Sequence, residues 1–91
     1  MAHIKSHKDA LLARVRRISG QVAAIERAIT NETTCGEILH QVAGVRGAVG
    51  GLMDELLSDH IEQHLARPGL SDAARAEAAD ELIAAIRRYA K

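Results

Sequence analysis

The feature that most constrains this chain is a regular apolar pattern between Cys35 and His64. Apolar residues recur there at steps of four, three, four, three and four, at Ile38, Val42, Val45, Val49, Leu52 and Leu56. This period places them along one side of an α-helix that lies against another helix. We therefore predict one long helix over about residues 34–66, with Cys35 near one end of its apolar stripe and His60 near the other.

The length of this helix decides which residues can act together. Twenty-five residues separate Cys35 from His60, and a helix of that length rises roughly 37 Å, so one chain cannot bring both to a single ligand. A second copy running antiparallel can, because the midpoint of the two positions falls between Gly47 and Ala48. The small residues near this midpoint would allow close approach at a two-fold axis: Gly44, Gly47, Gly50 and Gly51.

The sequence thus favours a two-fold dimer with two Cys/His clusters, each built from both chains. The alternative is that the glycines break the helix into two short helices within a monomer, since each helical glycine costs up to about 1 kcal/mol relative to alanine. The apolar pattern keeps its phase across the glycines, which favours the continuous helix.

The remaining chain predicts two further helices. A pattern with the same steps predicts a first helix over about residues 5–29, with its apolar residues at Leu11, Val15, Ile18, Val22, Ile25 and Ile29. Pro68 and Gly69 end the long helix, and Ser71 or Asp72 caps a third helix over about residues 72–90. Its apolar positions predict one packed face, formed by Ala79, Leu82, Ile83, Ile86 and Tyr89.

Composition sets the fold class. Alanine is abundant, alternating strand formers are absent, and residues 1–91 have the length of one small domain. We predict an all-α fold with three helices per chain in an antiparallel helical-bundle dimer. Residues 30–34 form a turn, in which Thr33 or Thr34 caps the second helix, and Glu37 follows Thr34 at the spacing of a capping box.

The single cysteine permits no internal disulfide, which favours a reducing, cytoplasmic setting. No apolar run is long enough for a membrane span, and the N-terminus, MAHIKSHKDA, has no signal-peptide core. We therefore expect a cytoplasmic protein without a membrane partner.

The formal net charge is zero, but the charge is segregated along the chain. Residues 1–30 carry net +4, residues 31–66 carry net −5 and the rest carries net +1. Arg14 and Arg17, three residues apart on the first helix, can contact neighbouring phosphates; the alternative is an ordinary solvated helix face. The chain contains no helix-turn-helix, zinc-finger or leucine-zipper basic-region pattern.

Histidines suggest a metal site at the end of the long helix. His60 and His64 stand at i and i+4, a spacing that can chelate one ion, although such pairs also occur by chance on exposed helices. Cys35 of a second chain would add a thiolate, unless it is a small buried hydrophobic residue. Removal of the initiator Met would leave an Ala2 amine beside His3, two further nitrogen ligands unless this terminus is disordered.

The segments RVRRISGQVAAIERAI, TTCGEILHQVAGVRGAVGGLM and HIEQH resemble the CsoR/RcnR family of metal-responsive transcriptional repressors. The resemblance covers the whole chain and is most specific from Gln41 to Met53. It implies an antiparallel dimer of three-helix chains that pairs into a tetramer, a dimer of dimers. It also implies a repressor rather than an enzyme, which binds operator DNA and releases it when an effector binds.

Within the family, the potential ligands indicate the subgroup. The nickel/cobalt sensors use His, Cys, His and His, which match His3, Cys35, His60 and His64, and the family's basic DNA-contacting positions match Arg14 and Arg17. Copper and persulfide sensors need a second cysteine, which this chain lacks.

The resemblance therefore implies an apo-repressor that releases its operator on binding Ni(II) or Co(II), with Zn(II) a further candidate, and so derepresses metal efflux. The alternative is a formaldehyde-responsive repressor of the same family, which reacts through Cys35 and the Ala2 amine. Such sensors typically have Pro after Met, where this chain has Ala2, and they lack a histidine matching His64. His7 and His40 also depart from the family pattern, so further ligands are open.

Overall fold

The computed structural model describes residues 7–89, which form three α-helices and contain no strand. Helix α1 spans Lys8–Thr30, α2 spans Cys35–His64 and α3 spans Asp72–Tyr89. The all-α, three-helix prediction is confirmed. Helix α2 runs without a break through its glycines, so the alternative of two short helices is wrong. No helix within the described range has the length and apolar character needed to cross a bilayer.

Two compact units divide the chain, and α2 contributes to both. The first unit, His7–Asp54, contains α1 and the larger part of α2. The second contains the chain from Glu55 onward, with the end of α2 and all of α3. The prediction of a single domain over residues 1–91 stays a prediction.

The turn between α1 and α2 closes in a Schellman motif. Thr33 N donates to the Ala28 carbonyl at 2.9 Å and Glu32 N donates to the Ile29 carbonyl at 3.1 Å. These bonds satisfy carbonyls at the helix end, and the motif needs a left-handed residue that is usually glycine. Here Glu32 occupies that position with φ = 55°. Helix α1 therefore ends at the predicted turn, but the residue with the left-handed backbone is glutamate, which is less favourable there than glycine.

Hydroxyl side chains cap the next two helices. Thr34 Oγ1 accepts from Glu37 N at 3.4 Å, and Ser71 Oγ accepts from Ala74 N at 3.1 Å. Each hydroxyl satisfies one of the amides that a helix start leaves without an intrahelical partner. Of the two candidates predicted for each cap, Thr34 and Ser71 are the ones that form it.

The apolar patterns of α1 and α2 are only half covered within the first unit. Leu11 is buried, and the covered positions that follow are half-buried: Ile18, Ile25, Ile38, Val45 and Leu52. The intervening positions are 43–59% exposed: Val15, Val22, Ile29, Val42 and Val49. On each helix the exposed members lie seven residues apart and alternate with the covered ones, so the two sets form adjacent lines along the helix. One chain therefore provides a partner for only part of each stripe.

In the second unit, α3 is bound to the end of α2. Arg75 Nη1 donates to the Leu65 carbonyl, and Ala78 is buried. The face of α3 that is at least partly covered includes Arg75, Ala78, Ala79 and Leu82. Ile83, Ile86 and Tyr89 are 47–60% exposed, so the prediction of one packed face that includes them is wrong for the single chain. The apolar residues of α3 are divided between a covered and an uncovered side.

Candidate metal centre and nucleic-acid interface

The two histidines at the end of α2 lie side by side. Because four residues make slightly more than one helical turn, His60 and His64 project from the same face. Their ring centroids are 5.3 Å apart and the ring planes are tilted by 45°. Both residues are half-buried. The helix thus provides a pair of adjacent imidazoles, which is the donor arrangement that a Zn(II), Ni(II) or Co(II) ion accepts from an i, i+4 pair.

A backbone carbonyl orients the first of these rings. His60 Nε2 lies 2.9 Å from the Ala78 oxygen on α3. A carbonyl oxygen can only accept, so the proton of this bond belongs to Nε2, and Nδ1 is the nitrogen suited to a metal. Hydrogen bonds of this kind typically fix the ring of a metal-binding histidine. The sequence did not predict Ala78 as part of the site, because its contribution is a main-chain oxygen.

Cys35 is placed differently from the histidines. It is the first residue of α2, belongs to the His7–Asp54 unit and carries a free, exposed thiol. The alternative of a small buried hydrophobic residue is therefore wrong within one chain. Among residues 7–89, no three His, Cys, Asp or Glu side chains form a group that could hold an ion. A single chain therefore brings together His60 and His64, but not the complete predicted ligand set.

The other predicted nitrogen ligands lie at the start of the chain. His3 and Ala2 fall outside the described residues. His7 is the N-cap residue of α1 and is exposed; its carbonyl accepts from Leu11 N at 2.9 Å. His40 is exposed on α2. Neither His7 nor His40 belongs to a group of three potential ligands in the part of the chain that is described.

The two predicted DNA-contacting arginines differ in their surroundings. Arg17 is exposed on α1, as are Arg16 and Lys8. Arg14 is half-buried, and its guanidinium lies against the backbone of α2 at Gly51. An exposed guanidinium can bind a phosphate directly, whereas one packed against a neighbouring helix also links the two helices.

A buried carboxylate beside the histidines was missed from the sequence. Asp59 immediately precedes His60 and is only 4% exposed, although aspartate is seldom fully buried. Asp59 follows Leu56 by three residues, so it stands at the next position of the apolar pattern, where a carboxylate is not expected to be buried. Its burial shows that the end of α2 is more enclosed than the sequence suggests.

Comparisons with known proteins agree with this arrangement. A family model described as metal-sensitive transcriptional repressor matches residues 7–88. The transcriptional repressor RcnR of Salmonella arizonae is 35% identical over 91 residues, covering all of both chains. An uncharacterized protein in the bioA 5′ region of Serratia marcescens is 42% identical over 91 residues, again covering all of both chains.

A solved structure is also similar. It is a variant of the formaldehyde-responsive regulator FrmR from Salmonella enterica serovar Typhimurium, in which a histidine replaces a glutamate. The TM-score is 0.87 at 41% sequence identity, and the match covers 93% of this chain and 96% of that one. The similarity therefore extends to the fold as well as to the sequence.

These matches define the class of protein: a transcriptional regulator of three-helix fold, and not an enzyme. More particularly, the chain belongs to the family of metal-sensitive transcriptional repressors, the CsoR/RcnR family. Membership implies binding to DNA, assembly with other copies and a metal effector. The family model is described as metal-sensitive whereas FrmR is described as formaldehyde-responsive, so the comparisons support more than one class of effector.

Proposed function

We propose that this protein is a cytoplasmic repressor that binds operator DNA without metal and releases it when Ni(II) or Co(II) binds, so that metal efflux genes are expressed. The observation that carries the proposal is the pair of imidazoles at His60 and His64, with ring centroids 5.3 Å apart. Two imidazoles with one thiolate form a donor set suited to Co(II), Ni(II) or Zn(II) and less suited to Cu(I), which prefers sulfur ligands.

The ligand set is completed by a second chain in this proposal. Cys35 of one subunit would join His60 and His64 of the partner subunit, and His3 with the Ala2 amine would supply the remaining nitrogens. Support comes from the unbroken helix Cys35–His64 and from the exposed apolar residues on α1 and α2. An antiparallel partner would cover those residues, and each well-buried valine or isoleucine contributes about 1.5–3 kcal/mol. Two such dimers would pair into a tetramer.

Binding of the metal and DNA would be coupled through α1. Arg14 and Arg17 would hold the phosphate backbone in the metal-free form, with an affinity that falls as salt increases. Recruitment of His3 and the Ala2 amine to the metal would draw the start of α1 towards the ligands. Because the same helix carries Arg14 and Arg17, its displacement would alter the DNA-binding face.

The test is an anaerobic Co(II) titration of the reduced protein, followed by absorption spectroscopy. Wild type should develop a thiolate-to-cobalt charge-transfer band that Cys35→Ala lacks, while His64→Ala should change the ligand-field spectrum. His40→Ala is a matched control, because His40 is exposed on the same helix. Weak or absent binding by wild type would contradict the proposal.

The second candidate function is a formaldehyde-responsive repressor. The exposed thiol of Cys35 and the similarity to FrmR favour it. Formaldehyde would join the Cys35 thiol and the Ala2 amine through a methylene bridge, with loss of one S–H proton, one N–H proton and the aldehyde oxygen as water. A mass increase of one carbon atom, together with DNA release that survives His64→Ala, would favour this candidate over the metal sensor.

A further inference from the structure

Within residues 7–89, which include all seven glycines, Gly51 on α2 is the only glycine with a close neighbour. A Cβ added there would lie 2.8 Å from Arg14 Nη1 and 3.8 Å from Arg14 Cζ. At each of the other glycines an added Cβ would meet no atom of the described part of the chain within 4 Å. The guanidinium of Arg14 therefore occupies the space that a side chain at position 51 would fill.

We propose that Gly51 is a positioning residue for DNA binding, and that it acts through Arg14. With glycine at this position, the guanidinium lies directly on the α2 backbone, so the direction of Arg14 is set by α2 as well as by its own helix. Movement of α2 at Gly51 would then move a DNA-contacting charge. This inference rests on the proposed function, because it assumes that Arg14 binds phosphate.

The electrostatics of α2 favour this placement. Asp54 lies one helical turn beyond Gly51 on the same side of α2, so this segment of α2 carries a carboxylate one turn from the contact. A guanidinium close to this segment is attracted to it, and Arg14 is half-buried whereas Arg17 is exposed. A planar guanidinium presents its five N–H donors in fixed directions, so the direction of the group determines which oxygens it can bind.

Gly51→Ala is a suitable probe because it should not unfold the protein. The atom that an alanine methyl would displace is at the far end of a long, flexible side chain. Alanine also favours the helix more than glycine does. The substitution should therefore move the Arg14 guanidinium while α2 stays helical.

The experiment is a double-mutant cycle on DNA affinity, measured by fluorescence anisotropy with the metal-free protein and a duplex from its own promoter region. The four proteins are wild type, Gly51→Ala, Arg14→Ala and the double variant. Gly20→Ala is the matched control. It makes the same substitution in helix α1, where the added Cβ would have no described atom within 4 Å. Thermal unfolding and sedimentation accompany each variant, to show that fold and assembly are kept.

We expect Gly51→Ala to weaken DNA binding about tenfold, and to reduce the salt slope by up to about 0.9, the value for one phosphate contact. In the Arg14→Ala background the same substitution should change affinity less than about twofold, because residues that act through each other are not additive. Equal losses in both backgrounds, or no loss in either, would overturn the inference. If wild type binds no DNA at any salt concentration, the proposed function fails instead.

Discussion

His60 Nε2 donates a hydrogen bond to the carbonyl oxygen of Ala78 at 2.9 Å, and this bond joins the histidine pair on α2 to helix α3. Ala78 is among the few residues buried within residues 7–89, so the acceptor is held in a fixed position. The contact determines which nitrogen of His60 is available to a metal. It also makes α3 part of the candidate site, although α3 supplies none of the predicted ligands.

The first prediction concerns the tautomer of His60. Because the Ala78 oxygen accepts from Nε2, neutral His60 should carry its proton on Nε2 and bind metal through Nδ1. Nitrogen-15 NMR of the imidazole side chains, before and after addition of diamagnetic Zn(II), measures this directly. His40, exposed on the same helix, provides a reference for an unconstrained ring. Metal binding through Nε2 of His60 would show that the contact with Ala78 is broken in the loaded protein.

The second prediction tests whether two chains share each site. Cys35→Ala and His64→Ala should each lack the complete site, but a mixture of the two contains heterodimers with one intact site. Random mixing in equal amounts makes half of the dimers mixed, and each mixed dimer has one intact site of two, so the wild-type ligand-field spectrum should return at about a quarter of its full intensity. The measurement is Co(II) absorption after the two proteins are unfolded and refolded together. If the mixture absorbs no more than the average of its components, the ligands do not come from two chains.

The third prediction concerns the exposed arginine on α1. Arg17→Ala should weaken DNA binding and lower the slope of log affinity against log salt by about 0.9, because one phosphate contact is lost. Arg16→Ala removes the same charge from the adjacent, also exposed position and is the matched control. Anisotropy titrations at several salt concentrations measure both. Equal effects from the two substitutions would mean that net charge, rather than a specific contact at Arg17, determines the affinity.

The fourth prediction concerns the coupling between metal and DNA. Thermodynamic linkage requires DNA to weaken metal binding by the same factor by which metal weakens DNA binding, and such couplings are commonly about 1–3 kcal/mol. Co(II) affinity should therefore fall by roughly 5- to 150-fold when operator DNA saturates the protein. Competition titrations with a metal chelator, with and without the duplex, give the two affinities. Identical Co(II) affinities with and without the duplex would contradict the proposed coupling between metal and DNA.

The fifth prediction concerns stability at the α1–α2 turn. Glu32 has a left-handed backbone, φ = 55°, in a Schellman motif that normally uses glycine. Glu32→Gly should raise the free energy of unfolding by up to about 1 kcal/mol, since a side chain in this conformation costs roughly 1–2 kcal/mol and glycine loses more entropy on folding. Urea unfolding at one fixed protein concentration measures the change. Glu32→Ala removes the charge but retains a Cβ, so it should not give this gain.

The helical organisation could be predicted from the sequence because it depends on local physics. The apolar period along Ile38, Val45 and Leu52 specifies a helix, and Thr34 and Ser71 specify where helices begin. The i, i+4 spacing of His60 and His64 places both rings on one face of any helix that contains them. These relationships follow from the geometry of a single helix, so no knowledge of packing is needed.

The sequence could not predict which members of each apolar pattern are covered within the chain. Val42 and Val45 belong to the same stripe, yet Val42 is 46% exposed and Val45 is half-buried. Valine is compatible with a buried and with a half-exposed position. The position of the neighbouring helix therefore decides which valine is covered. For the same reason, Ile83 and Ile86 were expected in one packed face and are exposed.

The sequence by itself determined the helical class, the helix ends and the pairing of His60 with His64, because each arises from interactions within about one turn of the chain. Only the tertiary structure decided that the Ala78 carbonyl orients His60 and that Arg14 lies on Gly51. Those contacts join residues 18 and 37 positions apart along the sequence. One uses a main-chain oxygen that every residue has, and the other depends on an absent side chain. The first leaves no sign in residue type, and the glycine of the second predicted close approach by a second chain rather than by Arg14, so helix packing decides both contacts.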